Sequence, residues 1–181
     1  MKNQDPLNPM DNAQVTSQLA QISTVSGIDK LNATLTQLLG ANSANETLSA
    51  ANMVGHSVLV PGTTMTLDQG QAVFGVELPQ AADKVTVSIT DASGKVLHTI
   101  DLGGQQAGVL ALAWDGITDA GSAAAPGSYG FSVTATQGSN AVGANPLGRA
   151  VVEGIAQGAN GPLLNLGAQG RVGLADIKQI L

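Results

Sequence analysis

The chain has 181 residues with 13 acidic against 7 basic side chains, a net charge of −6, and no cysteine. A chain of that sign with no Lys/Arg cluster is a poor ligand for nucleic acid or anionic membranes, and disulfides, thiol catalysis and Cys-held metals are excluded. Hydrophobic residues reach 43% but aromatics only 2%, beside 23 glycines and 7 prolines, so any core is built from Val, Ile, Leu and Ala in small, turn-rich β units.

No run of about 18 apolar residues is present for a membrane-spanning helix. Nor does a basic stretch followed by an apolar one mark a cleavable secretory signal. By these signals the protein stays in the cytosol or leaves by a route that reads no cleaved peptide.

The first element starts after "MKNQDPLNPM". Pro6 and Pro9 each push the preceding residue, Asp5 and Asn8, towards extended geometry. Asp11 suits an N-cap, Gln14 can reach back as in a capping box, and Met10 with Val15 stands at the positions of a hydrophobic staple. A helix is therefore predicted from Asn12. Val15, Leu19 and Ile22 recur at helical spacing, and Ile28, Leu31, Leu35 and Leu38 continue the stripe after a skip around Gly27. The remaining positions are mostly Gln, Ser, Thr and Asn. The interior glycine predicts a bend or break near Ser26 and Gly27. Such a helix is marginal alone, so the stripe needs a partner, either its own domain or other subunits. Gly40 reads as a C-cap, and Ala41 to Asn52 as a linker or a second short helix, taken as a hinge.

From Met53 the pattern changes. "HSVLVPG" (His56 to Gly62) reads as a strand closed by a Pro-Gly turn, with "TTMTLDQG" (Thr63 to Gly70) as its hairpin partner. Four segments then alternate with a period of two: Phe74, Val76, Leu78; Val85, Val87, Ile89; Leu110, Leu112, Trp114; and Tyr129, Phe131, Val133. Turn signals at Asp91 to Lys95, Asp115 to Gly121 and Ala125 to Ser128 separate them. This is the pattern of a small β-sandwich of immunoglobulin or fibronectin type, and all the aromatics fall within it. The C-terminal run from Val151 reads as two or three short strands ending in a turn of helix at Ala175 to Ile180. Residues 53–71 and 142–181 share a texture, which suggests a small barrel with the sandwich inserted between its strands.

No catalytic constellation is visible. His56 and His98 each stand alone in a strand-like run. Asp115, Asp119 and Gly121 lack the alternate ligands and terminal Glu of a calcium loop and read as a turn. Gly103 and Gly104 precede no helix and no Lys-Ser/Thr, so they form no phosphate loop. Neither a metal nor a cofactor is implied.

The segment Lys2 to Asn32, "KNQDPLNPMDNAQVTSQLAQISTVSGIDKLN", resembles the N-terminal signature of the flagellar hook-capping family. "VLVPG" at Val58, "FGVELPQAADKVTVSITDASGKV" at Phe74, "WDGITDAG" at Trp114, and "LLNLG" with "LADIKQI" near the end extend the resemblance over the chain. It implies a mainly β fold: a Tudor-like barrel (residues 53–71 plus 142–181) interrupted by an immunoglobulin or fibronectin type III-like sandwich (72–141), with a helical N-terminal extension (1–52). It further implies an oligomeric, ring-shaped and pentameric cap at the tip of the growing hook, with hook protein, the flagellar type III export apparatus and copies of itself as partners. The stripe Val15, Leu19, Ile22, Ile28, Leu31, Leu35 and Leu38 would then pack between subunits or on hook protein. The competing reading is a secreted Ig-like adhesin or carbohydrate-binding module, which needs exposed aromatics. Family members carry residues ahead of "KNQDP", where an export signal would sit. The 181-residue form is therefore expected in culture supernatant at a lower level than a longer form, and equal secretion would contradict this.

Overall fold

The computed structural model describes residues 9–158 and 161–181, with side chains from Gln14 onward. The chain divides into two units, Met1–Asn45 and Glu46–Leu181, each taken by itself below.

A single helix, α1, runs over Pro9–Ala51. It already includes Asp11, so Asp11 is not its N-cap and Asn12 not its start. Proline's fixed φ is helical and its missing N–H is no loss in a first turn, which lets the helix begin ahead of Asp11. The readings of Asp5, Asn8 and the Met10 staple lie outside the described residues and side chains. The expected break at Gly27 and cap at Gly40 are absent: both glycines are helical, and the supposed hinge Ala41–Asn52 continues the same helix as far as Ala51. Each glycine costs about 1 kcal/mol relative to alanine. Flanking Leu, Ala and Gln residues favour the helix, and Thr24, Thr34 and Thr36 turn their hydroxyls onto the carbonyls of Ala20, Lys30 and Asn32 at 2.8–2.9 Å. Those residues thus satisfy their side chains within the helix instead of competing with it.

The second unit contains β1 (Ser57–Pro61), β2 (Thr64–Leu67), β3 (Ala72–Leu78), β4 (Ala82–Thr90), β5 (Val96–Gln105), β6 (Gly108–Trp114), β7 (Gly127–Gln137), β8 (Asn140–Val142), β9 (Asn145–Val151), β10 (Gly154–Gly158), β11 (Gly161–Asn165), β12 (Arg171–Gly173) and β13 (Gln179–Ile180). One sheet has the order β13-β1-β9-β3-β6, a second β2-β7-β4-β5 with β8 on β7, and a third β10-β11-β12. The four alternating segments become β3, β4, β6 and β7, and their inward residues meet in the sandwich core around Phe74, Val76, Val85, Val87, Ile89, Trp114 and Phe131. Phe74 and Phe131 pack at 4.9 Å between ring centroids. The strand-like run around His98 is β5, which completes the sheet beside β4. His98, Ile100 and Leu102 alternate along it.

The expected β1–β2 hairpin does not form. Both sides of β1 are taken, by β9 and β13, and β2 pairs instead with β7, sending Met65 and Leu67 into the sandwich core. A second core, with no aromatic residue, gathers Ala50, Val58, Val60, Ala150, Val152, Leu164 and Leu166, with Met53, Val172, Leu174 and Ile177 packed against it. A curled half-barrel sheet is part of this fold, and the strands that line the second core, β1, β9, β11 and β12, lie on both sides of β3–β8 in the chain. The expected helical turn at Ala175 to Ile180 is corrected: a 3-10 turn ends at Asp176, and Gln179–Ile180 joins β1, with Lys178 and Leu181 donating to the Leu59 and Ser57 carbonyls. Burying those backbone groups against an open ladder is worth more than one isolated helical turn.

Gly148 of β9 stands opposite Val60 on one side and Phe74 on the other. A Cβ there would lie 2.8 Å from the Thr64 carbonyl oxygen, which is backbone and cannot swing away. Gly148→Ala should therefore lose about 1–3 kcal/mol of stability in urea unfolding, as overpacking does; wild-type stability would contradict the close approach.

Candidate functional site

The apolar residues singled out on α1 are exposed in the structure. Val15, Leu19, Ile22, Ile28, Leu31, Leu35 and Leu38 keep 52–65% of their surface, and so do two residues the sequence reading passed over, Val25 at 58% and Leu39 at 71%. Single exposed aliphatics are ordinary, but nine within one uncapped stretch are not.

Their geometry differs from the expected stripe. In an unbroken helix each residue advances about 100°. Val15, Leu19, Ile22 and Val25 then occupy an arc of about 120°, while Ile28, Leu31, Leu35, Leu38 and Leu39 occupy about 100° on nearly the opposite side. The six-residue step from Ile22 to Ile28 rotates the pattern by about 240°, and no bend at Gly27 takes that rotation out. The sequence places these residues on one stripe; the continuous helix sorts them onto two faces. Ser17, Thr24 and Gln21 lie behind the first face, and Ala33, Gln37 and Gly40 behind the second, so neither is apolar all round.

The remaining polar candidates are structural. The His98 Nδ1 and Asp119 Oδ1 lie 2.7 Å apart, with the imidazole stacked at 6.3 Å on Trp114. The Asp119 amide also donates to the Leu97 carbonyl, so this aspartate fastens the Asp115–Gly121 turn to β5. Asp115 Oδ1 accepts from the Ile117 amide at 3.0 Å, and Trp114 Nε1 donates to the Ile117 carbonyl at 2.8 Å. Gly116 and Gly121 both have φ near +76°, the left-handed region that the turn needs. This is the expected turn. Gly103 lies inside β5, its amide bonded to Asp101 Oδ1. His56 is exposed. Among the described residues no group of three or more His, Cys, Asp or Glu is placed to hold a metal ion.

The aromatics are consumed by the core. Phe74, Trp114 and Phe131 are buried, and Tyr129 meets Trp114 edge-on at 5.2 Å. Its hydroxyl donates to the Ala125 carbonyl at 2.6 Å, four residues upstream, which is the arrangement of a tyrosine corner in Ig-like sandwiches. Tyr129 is the one half-buried ring of the four.

The chain is 47% identical over 189 residues to the basal-body rod modification protein FlgD of Escherichia coli K12, an alignment spanning all of this chain and 82% of the relative. This chain belongs to the FlgD hook-capping family. FlgD of Salmonella typhimurium LT2 is 45% identical over the same span. The description "flagellar hook capping protein, N-terminal region" matches residues 1–37, and "FlgD Ig-like domain" matches 62–139. The first match takes in the whole first apolar face; the second begins ahead of β2, in keeping with its place in the sandwich. The crystal structure of FlgD from Xanthomonas campestris aligns with a TM-score of 0.60 at 31% identity, covering 75% of this chain and 99% of that one. FlgD from P. aeruginosa gives 0.59 at 28%, covering 71% and 98%.

One ion pair ties the C-terminal segment to the sandwich sheet. Lys178 Nζ lies 3.0 Å from Glu77 Oε1, and Asn145 Nδ2 donates to Glu77 Oε2 at 3.0 Å. The Lys178 hydrogen bond first, and Asn145 second, hold the Glu77 carboxyl below its ordinary value. A lowered folded pKa means the folded state resists that proton. The contribution is thus complete above the ordinary carboxylate range and is lost as pH falls through the folded value. Glu77→Gln should flatten the decline of stability as pH falls below the ordinary glutamate value of 4.5, read from urea midpoints; an unchanged slope would contradict the role of the pair.

Proposed function

We propose that this chain is a non-enzymatic scaffold that caps the distal end of the growing flagellar hook and guides the addition of hook-protein subunits. Membership of the hook-capping family supports the reading, and the Xanthomonas relative is described as a hook cap essential for flagellar assembly. The observation that carries it is the set of exposed aliphatics on α1, in a stretch with almost no charge and matching the hook-capping N-terminal description. An enzyme needs a cleft with poised groups; a scaffold needs surfaces that bind other subunits.

In this reading residues 1–52 make the assembly contacts. A Tudor-like barrel from residues 53–71 and 142–181, less β2, carries the fibronectin type III/Ig-like sandwich of residues 72–141. The partners are hook protein, further copies in a pentameric ring, and the flagellar type III export apparatus. The protein passes through the flagellar channel from the cytoplasm and acts outside the cell. Absent cysteine and modest aliphatic cores suit passage in an unfolded state, since no disulfide blocks threading. No described helix is long and apolar enough to cross a membrane.

Electron microscopy of basal bodies from a strain lacking this gene tests the proposal. Rods without hooks are expected, restored by a plasmid copy but not by one carrying Leu19→Asp with Ile22→Asp. Normal hooks in the deletion strain would overturn it.

A further inference from the structure

We infer that α1 joins copies of this chain head to tail, the Val15–Val25 face of one helix packing on the Ile28–Leu39 face of the next. This rests on the self-association proposed above and specifies how it is built.

Two opposite apolar faces on one rigid element cannot be covered by a single helix lying on one side. They call for two neighbours. The two faces are complementary in kind: each is aliphatic, bordered by Gln, Ser, Thr and Asn, and they span 11 and 12 residues, about 16 and 18 Å of helix. Charge favours another copy of the same helix as the occupant. The chain carries −6 overall, yet residues 14–45 contain only Asp29 and Lys30 and are neutral, so two such helices meet without the like-charge repulsion of the rest.

Area points the same way. A face about 16 Å long on a helix about 10 Å wide offers a few hundred Å² at most, against the ~800 Å² per partner of a stable pair. One face alone therefore makes a weaker contact, and a cyclic arrangement in which every copy uses both doubles it. An interface between unlike faces is heterologous, and such contacts close into a ring when the rotation allows.

The test uses the full chain and two variants, Leu19→Gln with Ile22→Gln on the first face and Leu31→Gln with Leu35→Gln on the second. Glutamine keeps helix propensity, and far-UV circular dichroism checks that the fold is retained. Wild type is expected to assemble, and each variant alone to run as a monomer of 18.1 kDa by light scattering. Mixed in equal amounts at concentrations raised well above the one at which wild type assembles, the variants should double that mass and stop there, because each retains the face the other lacks. If either variant alone stays oligomeric, or the mixture stays monomeric while wild type assembles, the head-to-tail contact is overturned and self-association stands. A monomeric wild type would overturn both.

Discussion

Strand β9 is shared: its hydrogen-bond ladder runs to β3 on one side and to β1 on the other. The sheet that closes the Ig-like sandwich is thereby the same sheet that supports the half-barrel, and the two cores are filled from it. The junction is made possible by small residues. A Cβ on Gly75 would fall 2.7 Å from Leu59 Cδ1 and 3.4 Å from Leu147 Cβ, and both leucines are fully buried. Glycine weakens a strand interior, but here it gives room to two leucines that each contribute about 1.5–3 kcal/mol when buried. A chain with four aromatics, all placed in the sandwich, can hold its second core together only by such close aliphatic packing. The Lys178–Glu77 pair, with 24–30% of each side chain exposed, adds orientation more than energy.

On α1 the deciding quantity is the phase of the helix. Hydrophobic spacing sets which residues can share a face, but only an unbroken backbone converts spacing into direction. Because the helix is continuous through Gly27, the same aliphatic residues that would make one binding stripe on a bent element make two on a straight one. In the proposed ring those faces give each copy two neighbours. A helix with few charges and rich in Ser, Thr and Asn is marginal on its own, so the order of this element and its association support each other.

Much of this was legible in the sequence. Period-two alternation found β3, β4, β6 and β7 because each has one face on the sandwich core, and Asp/Gly clusters found the turns because left-handed backbone needs them. Segments whose partners are distant in sequence were not legible. The pairing of β2 depends on β1 having no free edge, which no local pattern records. The strand at Gln179–Ile180 exists only because β1 offers its backbone, and β5 was legible only as a strand-like run around His98, because its inward positions hold that histidine beside two aliphatics. The exposed residues on α1 were found by spacing, but Val25 and Leu39 were missed and the two faces merged, since a glycine at the skip reads locally as a bend. The resemblance over Lys2–Asn32 gave the family, and neither spacing nor composition could have done so.

The continuity of α1 through Ser26 and Gly27 is the claim on which the two faces rest, and a distance tests it most directly. The chain has no native cysteine, so Gln14→Cys with Gln37→Cys takes two spin labels cleanly, both away from the centres of the apolar faces. Electron–electron resonance on labelled chains diluted into unlabelled ones should give one narrow distribution consistent with the about 35 Å axial rise of 23 helical residues. A shorter, broad distribution would mean that the helix bends at Gly27, bringing the aliphatics back onto one face and contradicting the account.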